Sequence, residues 1–183
     1  MEQLTDQQIV ERVRKGETDL FREVVLRYQN KIFIYIYRLM NHKEEAEDIT
    51  QEVFLKVFKN LYSFNPQLKF SSWIYRIAHN ETVNWLKKNS RYKKESLDEN
   101  DYLVDTIHDD TDMIKQLDLK SDLTKINQVI AKLPEKYREV IILKFLEEKS
   151  YEEISDILKK PISTIGVLIN RARKIIRRNY SNI

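Results

Sequence analysis

The chain has 183 residues, of which 42% are hydrophobic and 33% charged, with two glycines, three prolines and no cysteine. Such a composition points to a soluble protein of one or two small helical domains and excludes disulfides and thiolate metal sites. The net charge of +3 is unevenly spread: ten acidic residues against two lysines between Glu95 and Asp122 put about −8 there and about +11 on the remainder.

Thr5 and Gln8 form a capping box that opens a short helix to about Lys15, which Gly16 ends. From Thr18 the positions Phe21, Val24, Val25, Tyr28, Ile32, Tyr35, Ile36 and Leu39 recur at three and four, so one long helix is predicted. The segment "IFIYIY" has strand propensity, but the periodicity on both sides is helical and no turn interrupts it. Asn41 is the expected N-cap of the next helix, whose apolar stripe is Ala46, Ile49, Val53, Phe54, Val57, Phe58 and Leu61. Asn65-Pro66 breaks that helix. Ser71 or Ser72 is expected to cap a helix bearing Trp73, Ile74, Ile77, Ala78, Val83, Trp85 and Leu86, with a basic end.

Residues 95–122 read as an extended acidic linker, with a little helix near 112–119. Beyond it, helices are predicted at about 123–132, 135–147, 151–159 and 164–179, with Pro134 at a helix start. Ser150 and Glu153 make a second capping box, Pro161 marks a turn, and Ser163 is the expected N-cap of the last helix. The N-terminal sequence lacks a long apolar run, so no secretory leader is expected, and no stretch is long and apolar enough for a transmembrane helix.

Nothing here suggests catalysis. His42, His79 and His108 are far apart in sequence. The carboxylates Glu44, Glu45, Glu47, Asp48 and Glu52 lack the helical Glu/His partners of a bundle metal site. Gly16 and Gly166 cannot supply a glycine-rich phosphate loop. No catalytic residue, metal, cofactor or small-molecule substrate is expected.

Binding signals are stronger. Ser155, Lys159 and Ile165 hold the small, turn and apolar positions of a helix-turn-helix. The turn position prefers glycine because its φ is positive, so Lys159 there costs about 1 kcal/mol. On the last helix Ile165, Leu168, Ile169, Ala172, Ile175 and Ile176 form the core stripe. Gly166, Val167, Asn170, Arg171, Arg173, Lys174, Arg177 and Arg178 then face outward. Such a helix enters a major groove, its cations on phosphates. In "FNPQLKFSSWIYRIAHNETVNWLKKNSRYKK", aromatics interleave with cations, a pattern that stacks unpaired bases and holds a backbone. Trp73 and Trp85 also read as core residues of the helical domain, Trp73 above all. Asn80 and Asn84 share one helical face, and amides read base edges.

Four stretches resemble the extracytoplasmic-function (ECF) sigma factors of the sigma-70 family. "DLFREVVLRYQNKIFIYIYRLM" resembles the first helix of region 2, "AEDITQEVFLKVFKNL" the polymerase-binding helix, and "FSSWIYRIAHNETVNWLKK" the promoter-melting segment. "LPEKYREVIILKFLEEKSYEEISDILKKPISTIGVLINRARKIIRR" is similar to region 4. The resemblance implies an all-α protein of two small helical domains joined by an acidic flexible linker: a region 2-like domain (1–94), the linker (95–121) and a region 4-like helix-turn-helix domain (122–183). It implies a cytoplasmic, non-enzymatic factor that binds core RNA polymerase and directs it to promoters.

Asp48, Gln51, Glu52 and Phe54 would then face the polymerase. Phe64, Asn65, Lys69, Ser72, Arg76, Asn80, Asn84, Lys87, Lys88 and Arg91 would open and hold the −10 element. Ser163, Thr164, Gly166, Val167, Asn170, Arg171, Arg173 and Lys174 would bind the −35 element, although Gly166-Val167-Leu168 departs from the basic or small polar residues common there. The linker carboxylates would mimic nucleic-acid phosphates, and an anti-sigma factor is an implied partner, with no direct membrane insertion. Two other readings are a sigma-like adaptor that binds a regulatory protein without promoter recognition, and a free-standing helix-turn-helix regulator, which leaves the N-terminal half unexplained.

Overall fold

The structure, a computed structural model, describes residues 4–95 and 128–180, with side chains for 4–89 and 128–178. The acidic linker, the helix expected near 112–119 and the start of the helix expected from 123 lie outside the described residues. All regular elements among the described residues are helical.

Helix α1 (Asp6–Arg14) starts at the expected capping box, with Thr5 Oγ1 accepting from the Gln8 amide and Gln8 Oε1 from the Thr5 amide. Gly16, at φ 106°, turns the chain after it. A 3₁₀ turn (Thr18–Leu20) leads into α2 (Phe21–Met40), and α3 (Lys43–Lys59) and α4 (Phe70–Glu95) follow. Helix α2 packs against α1, α3 and α4. That explains its strand-like composition: Ile32, Phe33, Tyr35 and Ile36 are all buried, because neighbours cover more than one face of the helix. Phe64, Phe70 and Trp73 form a second nucleus at the start of α4, with ring centroids 5.2–5.6 Å apart. Arg14 closes the connection before it, donating to the carbonyls of Leu61, Tyr62 and Phe64.

The second domain shows the end of a helix at 128–131, then α5 (Glu135–Ile141), a π-helical turn (Ile142–Leu146), α6 (Tyr151–Leu158) and α7 (Ile162–Tyr180). Its core is Val140, Ile141, Ile142, Leu143, Ile154, Ile157, Ile165, Ile169 and Ala172, all under 4% exposed. The Ser150–Glu153 capping box is formed in both directions.

Several caps differ from expectation. Asn41 ends α2 in the left-handed region (φ 56°, ψ 33°), a conformation asparagine tolerates, and His42 is the residue before α3. Helix α4 begins at Phe70, so Ser71 and Ser72 lie in its first turn; Ser72 is buried. Pro134 is the residue before α5 rather than its first, and Pro161 plays the same part before α7, its carbonyl accepting from Ile165. Ser163 therefore lies inside α7. Proline can stand at such a start because its missing N–H has no partner to lose.

The two domains pack on each other, chiefly α4 against α6, with Arg138 also donating to the Leu39 carbonyl at the end of α2 (2.8 Å).

Candidate polymerase and nucleic-acid interfaces

Three surfaces carry the candidate residues. On α3 the i, i+3, i+4, i+7 spacing aligns Asp48, Gln51, Glu52 and Leu55, and all four are exposed. Beside this ridge is an open apolar cleft of about 570 Å³ lined by Phe21, Val25, Gln29, Phe54, Leu55 and Phe58 among others. Leu55 is 60% exposed, Phe58 43% and, on α2, Leu26 53%. Isolated exposed apolar residues are ordinary; several around one cleft mark a contact surface. Phe54 is half-buried, as a cleft wall. Sequence periodicity assigned Phe58 to the core and passed over Leu55. The signal available was Leu55 itself, an apolar residue in register with the polar ridge.

The second surface is α4. Lys69, Asn80, Asn84, Lys87 and Lys88 are exposed and Arg76 is half-buried; Asn65 precedes the helix, exposed, its Oδ1 accepting from the Gln67 amide. Phe64 and Ser72, expected to contact DNA, are 2% and 3% exposed and lie in the first domain's core. Phe64 fills the aromatic nucleus, and Ser72 faces inward because the helix begins two residues before it. Trp73 is core as well, while Trp85 is half-buried. Arg91 lies within α4, its side chain outside the described residues, as are those of Tyr92, Lys93 and Lys94.

At the centre of α4, His79 is buried. Tyr35 Oη lies 3.2 Å from its Nδ1, and Glu139 Oε2 3.6 Å from its Nε2. Burial first, then the charges of Lys160 and Lys87, push its pKa down to about 4, so the ring is neutral at pH 7. Burial likewise raises the Glu139 carboxyl, opposed by its hydrogen bond from Lys160. This cluster is a structural contact between domains. Among the described residues no group of three acidic, histidine or cysteine side chains could hold a metal ion.

The third surface is α7. Lys159 takes the left-handed turn conformation (φ 53°, ψ 42°), its amide donating to the Ser155 carbonyl. Ser155 Oγ donates to the Lys160 carbonyl at 2.6 Å. The turn thus has the geometry that glycine usually supplies, and Ile165 is fully buried beneath it. Ser163, Thr164, Val167, Asn170, Arg171, Arg173 and Lys174 are exposed. Gly166 is instead half-covered: a Cβ there would stand 3.9 Å from the ring of Tyr151, in ordinary contact. Ile162, 48% exposed at the helix start, joins Val167 as an exposed apolar residue on the N-terminal part of α7.

A two-domain helical protein with a helix-turn-helix in one domain and, in the other, a basic, amide-bearing helix and a separate apolar cleft on α2 and α3 has the build of a multi-site DNA-binding transcription factor. Residues 24–92 match the model of sigma-70 region 2, and residues 123–176 match sigma-70 region 4. The ECF RNA polymerase sigma factor SigW of Bacillus subtilis is 36% identical over 95% of this chain and 96% of its own. The ECF RNA polymerase sigma-E factor of Haemophilus influenzae is 37% identical over 96% and 95%. Among solved structures, the sigma factor RpoE of Bartonella quintana, in complex with the anti-sigma factor NepR, superposes with a TM-score of 0.71 at 23% identity. That match covers 86% of this chain and 94% of the other, and supports the fold. The chain belongs to the ECF sigma factors of the sigma-70 family, and it is a transcription initiation factor. No described helix is long and apolar enough to cross a membrane.

Proposed function

We propose that this factor docks on core RNA polymerase through the α3 ridge and its cleft, and engages a promoter at two places. Asp48, Gln51 and Glu52 pair with basic and amide groups of the polymerase, and Phe54, Leu55 and Phe58 bury apolar surface beside them. On α4, Asn80 and Asn84 read unpaired bases of the −10 element while Lys69, Arg76, Lys87, Lys88 and Arg91 hold the strand. Unpairing costs a few kcal/mol, offset by contacts to the extruded base. Helix α7 enters the major groove of the −35 element. Arg171, Arg173 and Lys174 hold phosphates; Ser163, Thr164 and Asn170 reach base edges, and Val167 meets a thymine methyl. Gly166 supports close approach without itself contacting a base. The working units are residues 1–94 and 122–183, joined by 95–121. The factor makes no covalent chemistry, works in the cytoplasm and is restrained by an anti-sigma partner.

One observation carries the reading: a single chain presents an acidic-apolar docking ridge and two separate basic, amide-bearing helices. In vitro transcription with core polymerase, followed by mapping of start sites, tests it. Promoter-dependent transcripts sharing two spaced elements are expected. Absence of any such transcript from genomic templates refutes it.

A further inference from the structure

Residues 65–69, between α3 and α4, form an exposed connection that is neither helix nor strand, and it carries the candidate −10 contacts Asn65 and Lys69. Such a segment loses binding energy to ordering unless it is held in shape beforehand. Its own bonds are short-range: Asn65 Oδ1 accepts from the Gln67 amide and the Asn65 carbonyl from the Leu68 amide, both at 3.0 Å. A tie to the rest of the domain comes from Arg14, in the last turn of α1. Arg14 donates from Nε and Nη2 to the Leu61 carbonyl at 3.0 and 2.6 Å, and from Nη2 to the carbonyls of Tyr62 (3.2 Å) and Phe64. The Phe64 carbonyl belongs to the peptide that leads into Asn65, so this bond sets the direction in which the loop leaves the core. The Tyr62 hydroxyl answers by donating to the Arg14 carbonyl at 3.0 Å, although Tyr62 is 72% exposed. The grip thus closes in both directions across 48 positions of sequence. A planar guanidinium fork can span several carbonyls at once; an ammonium on a flexible stem cannot.

We infer that Arg14 is a positioning residue for reading the −10 strand. From a helix that bears none of the assigned DNA contacts, it holds the 65–69 loop in the shape that receives an unpaired base. The inference rests on the assignment of this loop and α4 to the −10 element. A loosened grip leaves the loop competent only part of the time, and apparent affinity falls by that fraction. The loss falls on the base rather than on the phosphates, because the cations of α4 stay where the helix puts them.

The test uses holoenzymes assembled from core polymerase and the full chain as wild type, Arg14→Lys or Tyr62→Phe. Arg14→Lys keeps the charge and loses the fork. Tyr62→Phe removes one hydroxyl from an exposed ring, and it decides the matter if Arg14→Lys does not fold. Each factor carries a dye at Lys132→Cys, an exposed site in a chain without cysteine, so that its affinity for core polymerase is measured first by anisotropy. The DNA is a fork template from a promoter mapped as above, with its −35 element duplex and its −10 strand single. The base is removed from one −10 nucleotide at a time.

Wild type is expected to lose affinity where a read base is removed. Arg14→Lys should bind the intact template about fivefold more weakly and Tyr62→Phe about threefold, with affinity for core polymerase unchanged. On the template lacking the base that the loop receives, both should match wild type within about 1.5-fold. An equal loss on intact and base-free templates would mark Arg14 as a general support of the fold, and would overturn the inference. So would wild-type affinity on both. Either result, with the wild-type holoenzyme sensitive to base removal, leaves the proposed function standing. A wild-type holoenzyme indifferent to every −10 base would instead remove the assignment beneath the inference, and the inference with it.

Discussion

Leu55→Ala tests the docking ridge. Leu55 is 60% exposed in the free protein, on the same face as Asp48, Gln51 and Glu52, so that fraction of its surface is available for burial by a partner. The substitution removes three carbons, each worth about 0.8 kcal/mol on full burial, or about 1.4 kcal/mol at this exposure. That corresponds to about a tenfold loss of affinity for core polymerase. Stability should fall by about 1 kcal/mol, from the smaller part of the side chain already packed in the free fold. The assay is anisotropy of the dye-labelled factor titrated with core polymerase, with thermal unfolding in parallel. Val57→Ala is the contrasting control: Val57 is fully buried on the same helix, so it should lower the melting temperature. A Leu55→Ala affinity within twofold of wild type, in a variant still folded at the assay temperature, would refute the burial argument and remove the cleft from the docking surface.

Other expectations follow from single contacts. Lys159→Gly should raise stability by about 1 kcal/mol, since it relieves the left-handed backbone and loses only a surface pair with Asp156; thermal melting reads it. Ser150→Ala should cost about 1 kcal/mol by opening the cap of α6, measured by denaturant titration. His79, held neutral in the fold, gives an acid-sensitive term. Unfolded chains take a proton below its ordinary 6.5 and the folded chain only near 4, so stability falls across that window, by about 3 kcal/mol at most. Glu139, raised by burial, acts with the opposite sign, so the comparison is with His79→Gln, whose stability should fall less steeply between pH 6.5 and 4. Gly166→Lys should strengthen non-specific duplex binding and steepen its salt dependence, with filter binding at several salt concentrations as the readout.

Much of this architecture was legible in the chain. Helical periodicity around "IFIYIY" outweighed its local propensity because the neighbours of α2 bury more than one face, and a buried helix tolerates strand-like residues. The two capping boxes were readable because both partners lie three residues apart. Caps built on a single side chain were less so: Asn41 serves α2 by its backbone conformation, and prolines displaced Ser163 as the residue before a helix. Ser72 and Phe64 were misplaced for a related reason. A start two residues earlier turns Ser72 inward, and an aromatic beside cations has the same sequence whether it stacks on a base or fills a core. The contact between domains left no mark in any periodicity. Asp156 looks like a solvated charge and Glu153 like a cap alone until Arg76 and Lys69 are seen opposite them, and that pairing spans about 80 positions of sequence.

The π-helical turn at Ile142–Leu146 acts as a phase adjuster. A one-residue change in an α-helix rotates everything beyond it by about 100°. The wide turn fits an extra residue while Ile142 and Leu143 stay buried, and it ends immediately before Glu147. Deleting one residue there would leave the hydrophobic centre of α5 in place and swing Glu147 away from Tyr75 and Arg38. The length of this turn, more than the identity of any residue in it, sets whether Glu147 meets Tyr75 and Arg38.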